Sequence, residues 1–267
     1  MRLIRNLLGM SVLAIAFNAC FEAPQFPDAP EITYNDIVFK DLPAPDAADT
    51  LIITVNFRDG DGDLGLHDSE TAYPFNDKYY FTSSGEPGYF AAGTAVANDA
   101  SLLTALNGST YPTGKLLSWA SKMNGNDTLP DFVTPYSCSN WDVLKDPVTG
   151  KDTDTLYFQL NPNHYNFFVD FYVQQGDGSF ALYDWKKEFV FRNCNVNGFN
   201  GRFPILSKDL SQRTAQEGKI RYSMKSVGFN IFFSIKVLKL RIYIQDRNLH
   251  KSGVIETPAF TLQSIRK

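Results

Sequence analysis

The chain has 267 residues, which is long enough for one large or two small domains with a sizeable core, and its formal net charge is -4. The acidic balance argues against a nucleic-acid partner, because phosphate binding needs a basic surface. Its hydrophobic and charged fractions, 43% and 20%, are ordinary for a folded globular protein, while its 14% of aromatic residues favours β-strands.

Residues 1–19 have the pattern of an export signal. Arg2 and Arg5 precede the apolar run from Leu7 to Phe17, which is too short to span a bilayer. The run ends at Phe17-Asn18-Ala19-Cys20, which resembles a bacterial lipobox. The resemblance implies cleavage before Cys20 and lipidation of that cysteine, whereas the alternative is an ordinary secretory signal with an incidental cysteine.

The segment after the signal predicts a tether. Residues 20–30 contain three prolines, which favour a semi-extended chain between a lipid and the folded part, residues 31–267. Two further cysteines, Cys138 and Cys194, form an even pair. Outside the cytoplasm such a pair predicts one disulfide, and two separate buried thiols are the alternative.

The folded part opens with two strand patterns, a short one within residues 32–42 and a clear alternating one at 49–57. In the second strand, one face carries four apolar side chains, Leu51, Ile53, Val55 and Phe57. Residues 67–150 are dense in Gly, Pro, Asn and Ser and predict a long irregular insert. Within it, Asp99 to Leu106 is predicted to form a short helix.

The strand pattern becomes stronger from Thr155 onwards. The predicted elements are a strand at 156–160, a strand at 166–174, a hairpin turn at 175–179, strands at 180–191, 219–224 and 228–246, and an edge strand at 257–265. Short, turn-rich strands with few helices predict an all-β protein, specifically an antiparallel immunoglobulin- or fibronectin-like β-sandwich. Two small sandwiches divided near residue 150 are the alternative.

Three carboxylates alternate with glycine directly after the strand at 49–57. In the frame of an EF-hand loop, Asp59, Asp61 and Asp63 occupy positions 1, 3 and 5, Gly65 the carbonyl position and Glu70 the twelfth. These residues are therefore the predicted ligands of a Ca²⁺ ion, the only cofactor that the sequence indicates.

The match to an EF-hand is incomplete. Leu64 stands where the motif requires glycine, and no flanking helices are predicted. The pattern therefore favours a calcium loop built on a strand end, and a solvated glycine-rich turn is the alternative. In a sandwich, strand ends from distant parts of the sequence meet at one pole, so Asp246, at the end of a later strand, would be able to join the loop.

No catalytic motif occurs in the chain. The three histidines, His67, His164 and His250, show no metal-binding spacing, and nucleophile and phosphate-binding motifs are missing, so a non-enzymatic role is predicted. The triplet Asp-Thr-Leu occurs three times. It resembles the O-glycosylation sequon of Bacteroidota and implies modification at Thr50, Thr128 and Thr155. The alternative is a turn followed by a strand.

The chain as a whole resembles outer-membrane lipoproteins of Bacteroidota. The resemblance is carried by Cys20, by the strand followed by Asp59-Gly60-Asp61-Gly62-Asp63-Leu64-Gly65, and by the Asp-Thr-Leu triplets. It implies a lipid-anchored protein at the outer membrane, facing either the cell surface or the periplasm. Which of these two faces it occupies is left open by the sequence.

Two functions are weighed for such a protein. The leading expectation is a non-enzymatic accessory subunit of an outer-membrane protein complex for export, assembly or uptake. The alternative is a surface glycan-binding lipoprotein, in which exposed rings of Trp119, Trp141 or Trp185 stack on sugars. Exposure of these rings distinguishes the two hypotheses.

Overall fold

A computed structural model describes residues 24–41, 48–90, 102–112, 116–120, 132–133, 136, 140–146, 148–184 and 198–267. The described strands form three antiparallel sheets, which confirms the predicted all-β sandwich class; the immunoglobulin-like topology stays a prediction. Several predicted features lie outside the described residues, namely the export signal with Cys20, the Cys138–Cys194 disulfide, Thr128 and Trp185.

The first sheet has three strands in the order β1-β2-β11. These strands are β1 (Glu31–Lys40), β2 (Asp49–Asp59) and β11 (Gln216–Ser226). In β2 the odd-numbered apolar side chains from Leu51 to Phe57 are buried, which confirms the predicted face. Because β2 pairs with β11 along its whole length and with β1 from Thr50 to Arg58, its two ends define the two poles of the sheet.

The second sheet has four strands in the order β10-β9-β12-β13. These are β9 (Phe167–Gln174), β10 (Phe180–Leu182), β12 (Leu238–Ile244) and β13 (Ile255–Glu256). The backbone N–H of Gln175 donates to the carbonyl of Ser179 at 2.7 Å, which confirms the predicted hairpin turn between β9 and β10.

The main hydrophobic core lies between these two sheets. β2 contributes its buried face, and β12 contributes four side chains with no exposed surface, so the two sheets pack as a sandwich. Four phenylalanine rings extend the core towards one pole, and they are Phe39, Phe171, Phe229 and Phe233. The sequence pattern of alternating apolar residues therefore identifies most of this core correctly.

The insert forms a third sheet of six strands in the order β6-β5-β4-β3-β8-β7. The strands are β3 (Lys78–Phe81), β4 (Pro87–Tyr89), β5 (Leu102–Ala105), β6 (Thr110–Pro112), β7 (Trp141–Lys145) and β8 (Asp152–Leu160). The helix predicted at 99–106 is wrong over β5, because this segment takes its hydrogen bonds from β4 and β6. The division near residue 150 stays a prediction.

Two predicted strands near the C-terminus are interrupted. The segment predicted as a strand from Gly228 to Asp246 begins with a short helix, α1 (Phe229–Phe233), because Phe229 and Phe233 lie on one helical face and both enter the core. The predicted edge strand at 257–265 contains a 3₁₀ turn, Gln263–Ile265, instead of a strand; a second such turn is Pro162–His164. Among the described residues, no helix is long and apolar enough to cross a membrane.

Candidate metal centre

The aspartate loop begins at the last residue of β2 and turns sharply over the pole of the sandwich. Asp59 ends β2, and the backbone that follows has positive φ angles of 69° at Gly62 and 104° at Gly65. A Cβ atom at either glycine would lie 2.3 Å from a neighbouring carbonyl oxygen, that of Thr214 or Pro204. Only glycine therefore allows the loop to pass between these segments in this conformation.

The structure brings four carboxylates together at this pole. One oxygen from each of Asp59, Asp61, Asp63 and Asp246 lies within 4.8 Å of the others. Asp246 follows β12, which belongs to the second sheet, whereas Asp59 ends β2 in the first. The cluster therefore spans the two sheets of the sandwich. It includes Asp246, which was expected to join the loop from the end of a later strand.

Hydrogen bonds orient the carboxylates without using all of their oxygens. Asp59 Oδ2 accepts from the backbone N–H of Asp63 at 3.1 Å. The side-chain amide of Asn248 donates to Asp61 Oδ2 at 3.1 Å, and its backbone N–H donates to Asp63 Oδ2 at 3.2 Å. In the described part of the chain, the Oδ1 atoms of these three aspartates are buried and have no hydrogen-bond partner.

The fourth carboxylate is held by a histidine. Asp246 Oδ1 accepts from the backbone N–H of His250 at 2.7 Å, and Asp246 Oδ2 lies 2.9 Å from His250 Nδ1. This contact raises the pKa of His250, whose ring is exposed, whereas burial raises the pKa of the Asp246 carboxyl. The histidine therefore orients Asp246 from the solvent side.

Burial and mutual repulsion make the cluster electrostatically unfavourable when it is fully ionised. Asp59 has no exposed surface, and burial together with the charges of Asp61, Asp63 and Asp246 raises its pKa to about 7. Burial, with Asp246 and Asp61, raises the pKa of Asp63 to about 6. Four carboxylates at this separation need a compensating cation or protons.

The spacing of the oxygens suits a cation that prefers oxygen ligands. Ca²⁺ binds oxygen at about 2.3–2.6 Å, so ligands on opposite sides of such an ion lie up to about 5 Å apart. The four oxygens, all within 4.8 Å of one another, therefore lie close enough together to share one ion. A buried carboxylate oxygen without a donor is the group that such an ion would satisfy.

Two residues of the predicted ligand set lie outside the cluster. Glu70, the twelfth residue of the EF-hand frame, accepts from the Arg247 guanidinium through both carboxylate oxygens, and this pairing lowers its pKa. The carbonyl oxygen of Gly65 accepts from the same guanidinium at 3.3 Å. Arg247 therefore fastens the residues after the loop to the end of β12, instead of leaving them free to bind an ion.

A second arginine fastens the base of the insert. The Arg202 guanidinium donates to the backbone carbonyls of four residues at 2.5–3.0 Å, namely His67, Glu70, Phe75 and His164. The sequence assigned no such contacts to Arg202, Arg247 or Asn248. Besides the aspartate loop, the position of Asp246 at the end of a later strand was the signal in the sequence for this pole.

The predicted glycosylation and sugar-stacking residues are placed as follows. Thr50 lies half-buried in the central strand β2, and the hydroxyl of Thr155 in β8 is buried. Trp141 is buried, and Trp119 is half-buried with its ring edge-on to Tyr136, at an interplanar angle of 65°. Trp119 and Trp141 therefore do not form a flat, solvent-facing platform of the kind that would favour glycan binding. Glycosylation at the predicted threonines and glycan binding both stay predictions.

Comparisons with protein-family models, with curated proteins and with solved structures returned no match. The class of protein is therefore defined by the fold and the site alone. It is an all-β protein of antiparallel sheets, with a buried carboxylate cluster at one pole that is able to hold a metal ion.

Proposed function

We propose that the four-aspartate cluster binds Ca²⁺. The observation that carries this proposal is the set of three buried Oδ1 atoms, on Asp59, Asp61 and Asp63, that have no donor in the described structure. These three residues and Asp246 also each have one carboxylate oxygen within 4.8 Å of the others. Four carboxylates supply more negative charge than a monovalent ion would neutralise. Bound water would complete a shell of six to eight oxygens.

The ion would act as a clamp between the two sheets. Its ligands come from the end of β2, from the following loop and from the end of β12. The same loop contacts the tether, because the backbone N–H of Gly60 donates to the carbonyl of Pro27 at 2.9 Å. Binding would therefore fix the sheets, the start of the insert and the tether relative to one another.

This position supports a structural role for the ion. We therefore propose that the protein is a lipid-anchored, non-enzymatic accessory subunit of an outer-membrane protein complex, attached through Cys20 and stabilised by Ca²⁺. The tether enters at the pole that carries the aspartate cluster, where the Arg58 guanidinium lies 5.5 Å from the ring of Phe26. The opposite pole and the insert sheet would therefore be available for contacts with a partner.

The calcium proposal is tested by thermal melting of the mature protein in EDTA, in millimolar Ca²⁺ and in millimolar Mg²⁺. Ca²⁺ should raise the melting temperature, because an ion that binds only the native state stabilises it by mass action. Asp61→Asn should remove most of this response. Asp177→Asn is the matched control, because Asp177 also lies between two glycines but in an exposed hairpin turn.

An equal melting temperature in EDTA and in Ca²⁺ would end the calcium proposal. The subunit proposal has a separate test, which is purification of the anchored protein from gently solubilised membranes under native conditions. A defined complex with one outer-membrane protein is expected. Recovery of the monomer alone, with its lipid attached, would contradict the subunit proposal without affecting the calcium site.

A further inference from the structure

A small apolar surface protrudes from the pole opposite the metal centre. We call it the apolar tip, and it consists of Val227, Ile231 and Ile235, whose side chains are 60%, 74% and 93% exposed. Helix α1 lies in this segment, between β11 and β12. Aliphatic side chains with this much exposure gain free energy when another apolar surface covers them.

The core holds the apolar tip in a fixed orientation. Phe229 and Phe233 on the inner face of α1 are fully buried, and their rings lie 6.1 Å and 5.7 Å from the ring of Phe171. The amide of Asn230 donates to Asp49 Oδ2 at 2.9 Å. A rigid tip loses little conformational freedom when a partner covers it, which favours specific binding.

Two lysines flank the tip in sequence. Lys225 and Lys236 are its nearest charged neighbours along the chain, and the Lys236 ammonium lies 5.4 Å from the ring of Tyr183. The Asp41 carboxylate, which accepts from Asn230 of α1 at 3.2 Å, pairs with Arg266 at 2.6 Å, so its negative charge is compensated. A complementary surface would therefore be an apolar recess with carboxylates at its rim.

The position of the tip selects a protein partner over the anchoring membrane. β2 has eleven residues, so its two ends lie about 33 Å apart. The tether joins at the Asp59 end, and α1 is joined to the Asp49 end. With the lipid at the first pole, an upright sandwich directs the apolar tip away from the bilayer.

We propose that the apolar tip is the surface through which this protein docks on its outer-membrane partner, a protein that offers an apolar recess rimmed by carboxylates. This inference rests on the proposed function as an anchored subunit and specifies the contact. Ile231 and Ile235 are the central contacts, and Lys225 and Lys236 contact the acidic rim.

Site-specific photo-crosslinking of the full, anchored chain in its own cells tests the proposal. A photoreactive phenylalanine replaces Ile231 or Ile235, one at a time. Val254 is the matched control, because it is an aliphatic residue that is 62% exposed but follows β12 near the metal centre. We expect one discrete adduct with another protein from both tip positions, at a yield at least about tenfold above that from Val254.

Charge reversal provides the second part of the test. Lys225→Glu together with Lys236→Glu should lower the adduct yield from Ile231 about fivefold or more, because like charges at a rim oppose binding. An unchanged calcium response in melting would show that the variant is folded. Adducts with a second copy of the chain, adducts with lipid, equal yields at Val254 or insensitivity to charge reversal would each overturn the proposal. None of these outcomes would affect the native purification that tests the subunit role.

Discussion

Replacing Asp59 by asparagine separates two effects of the cluster, namely the repulsion among its carboxylates in the metal-free fold and its proposed binding of Ca²⁺. Asp59→Asn keeps the shape of the side chain, and the amide oxygen is still able to accept from the backbone N–H of Asp63, but the variant removes one buried negative charge. In the absence of metal this change should stabilise the fold. In the presence of Ca²⁺ it should weaken binding, because affinity depends on the charge of the ligands.

The magnitude follows from the raised pKa. Burial and the neighbouring carboxylates raise the pKa of Asp59 from 3.8 to about 7, so at pH 8 the ionised carboxylate costs up to about 4 kcal/mol. Since asparagine is polar and also buried, we expect the metal-free variant to gain about 1–3 kcal/mol over the wild type. For a protein of this size, each kcal/mol raises the melting temperature by about 2–4 °C.

Thermal melting should show that Asp59→Asn has opposite effects on stability in EDTA and in Ca²⁺. In EDTA the variant should melt above the wild type. In Ca²⁺ at a hundred times the dissociation constant, the wild type should gain about 2.7 kcal/mol and the variant less than half of that. A variant that melts below the wild type in EDTA would refute the reasoning, since it would mean that the Asp59 carboxylate is satisfied by the fold itself.

Three further predictions concern stability. In EDTA the wild type should lose stability as the pH rises from about 4 through 7, because a carboxyl whose pKa is raised on folding stabilises the fold only while protonated; Ca²⁺ should abolish this loss. Arg202→Lys should lower the free energy of unfolding in urea by about 2–4 kcal/mol, because one ammonium cannot reach four carbonyls in the geometry of the guanidinium fork; a loss under about 1 kcal/mol would contradict this. Gly65→Ala should prevent stable folding in circular dichroism, whereas Gly108→Ala, with positive φ but open surroundings, should cost only about 1 kcal/mol.

Local patterns in the sequence predicted the strands well and the interruptions poorly. The alternation in β2 and the turn at 175–179 depend on neighbouring residues, and the structure confirms both. Helix α1 was missed because its residues favour strands individually, while the four-residue spacing of Phe229 and Phe233 indicated a helix. Strand β5 was missed because its partners, β4 and β6, had no strong pattern of their own.

The aspartate cluster was predictable in part. The spacing of Asp59, Asp61 and Asp63 is visible in the sequence, and the geometry of a sandwich made Asp246 a reasonable fourth member. The role of Glu70 was not predictable from the EF-hand frame, because its carboxylate pairs with a residue that lies 177 positions later in the chain. Long-range ion pairs of this kind have no signal in local spacing.

If the aspartate cluster binds Ca²⁺ as proposed, the free energy of folding depends on the surrounding solution as well as on the sequence. Where free Ca²⁺ is scarce, the chain folds against the repulsion of its own carboxylates and is at its least stable. Where Ca²⁺ reaches the dissociation constant of the site, each further tenfold rise adds about 1.4 kcal/mol. With the proposed Ca²⁺ site, the protein would gain this stability only in a calcium-rich compartment, and the same chain would be easier to unfold before it arrives there.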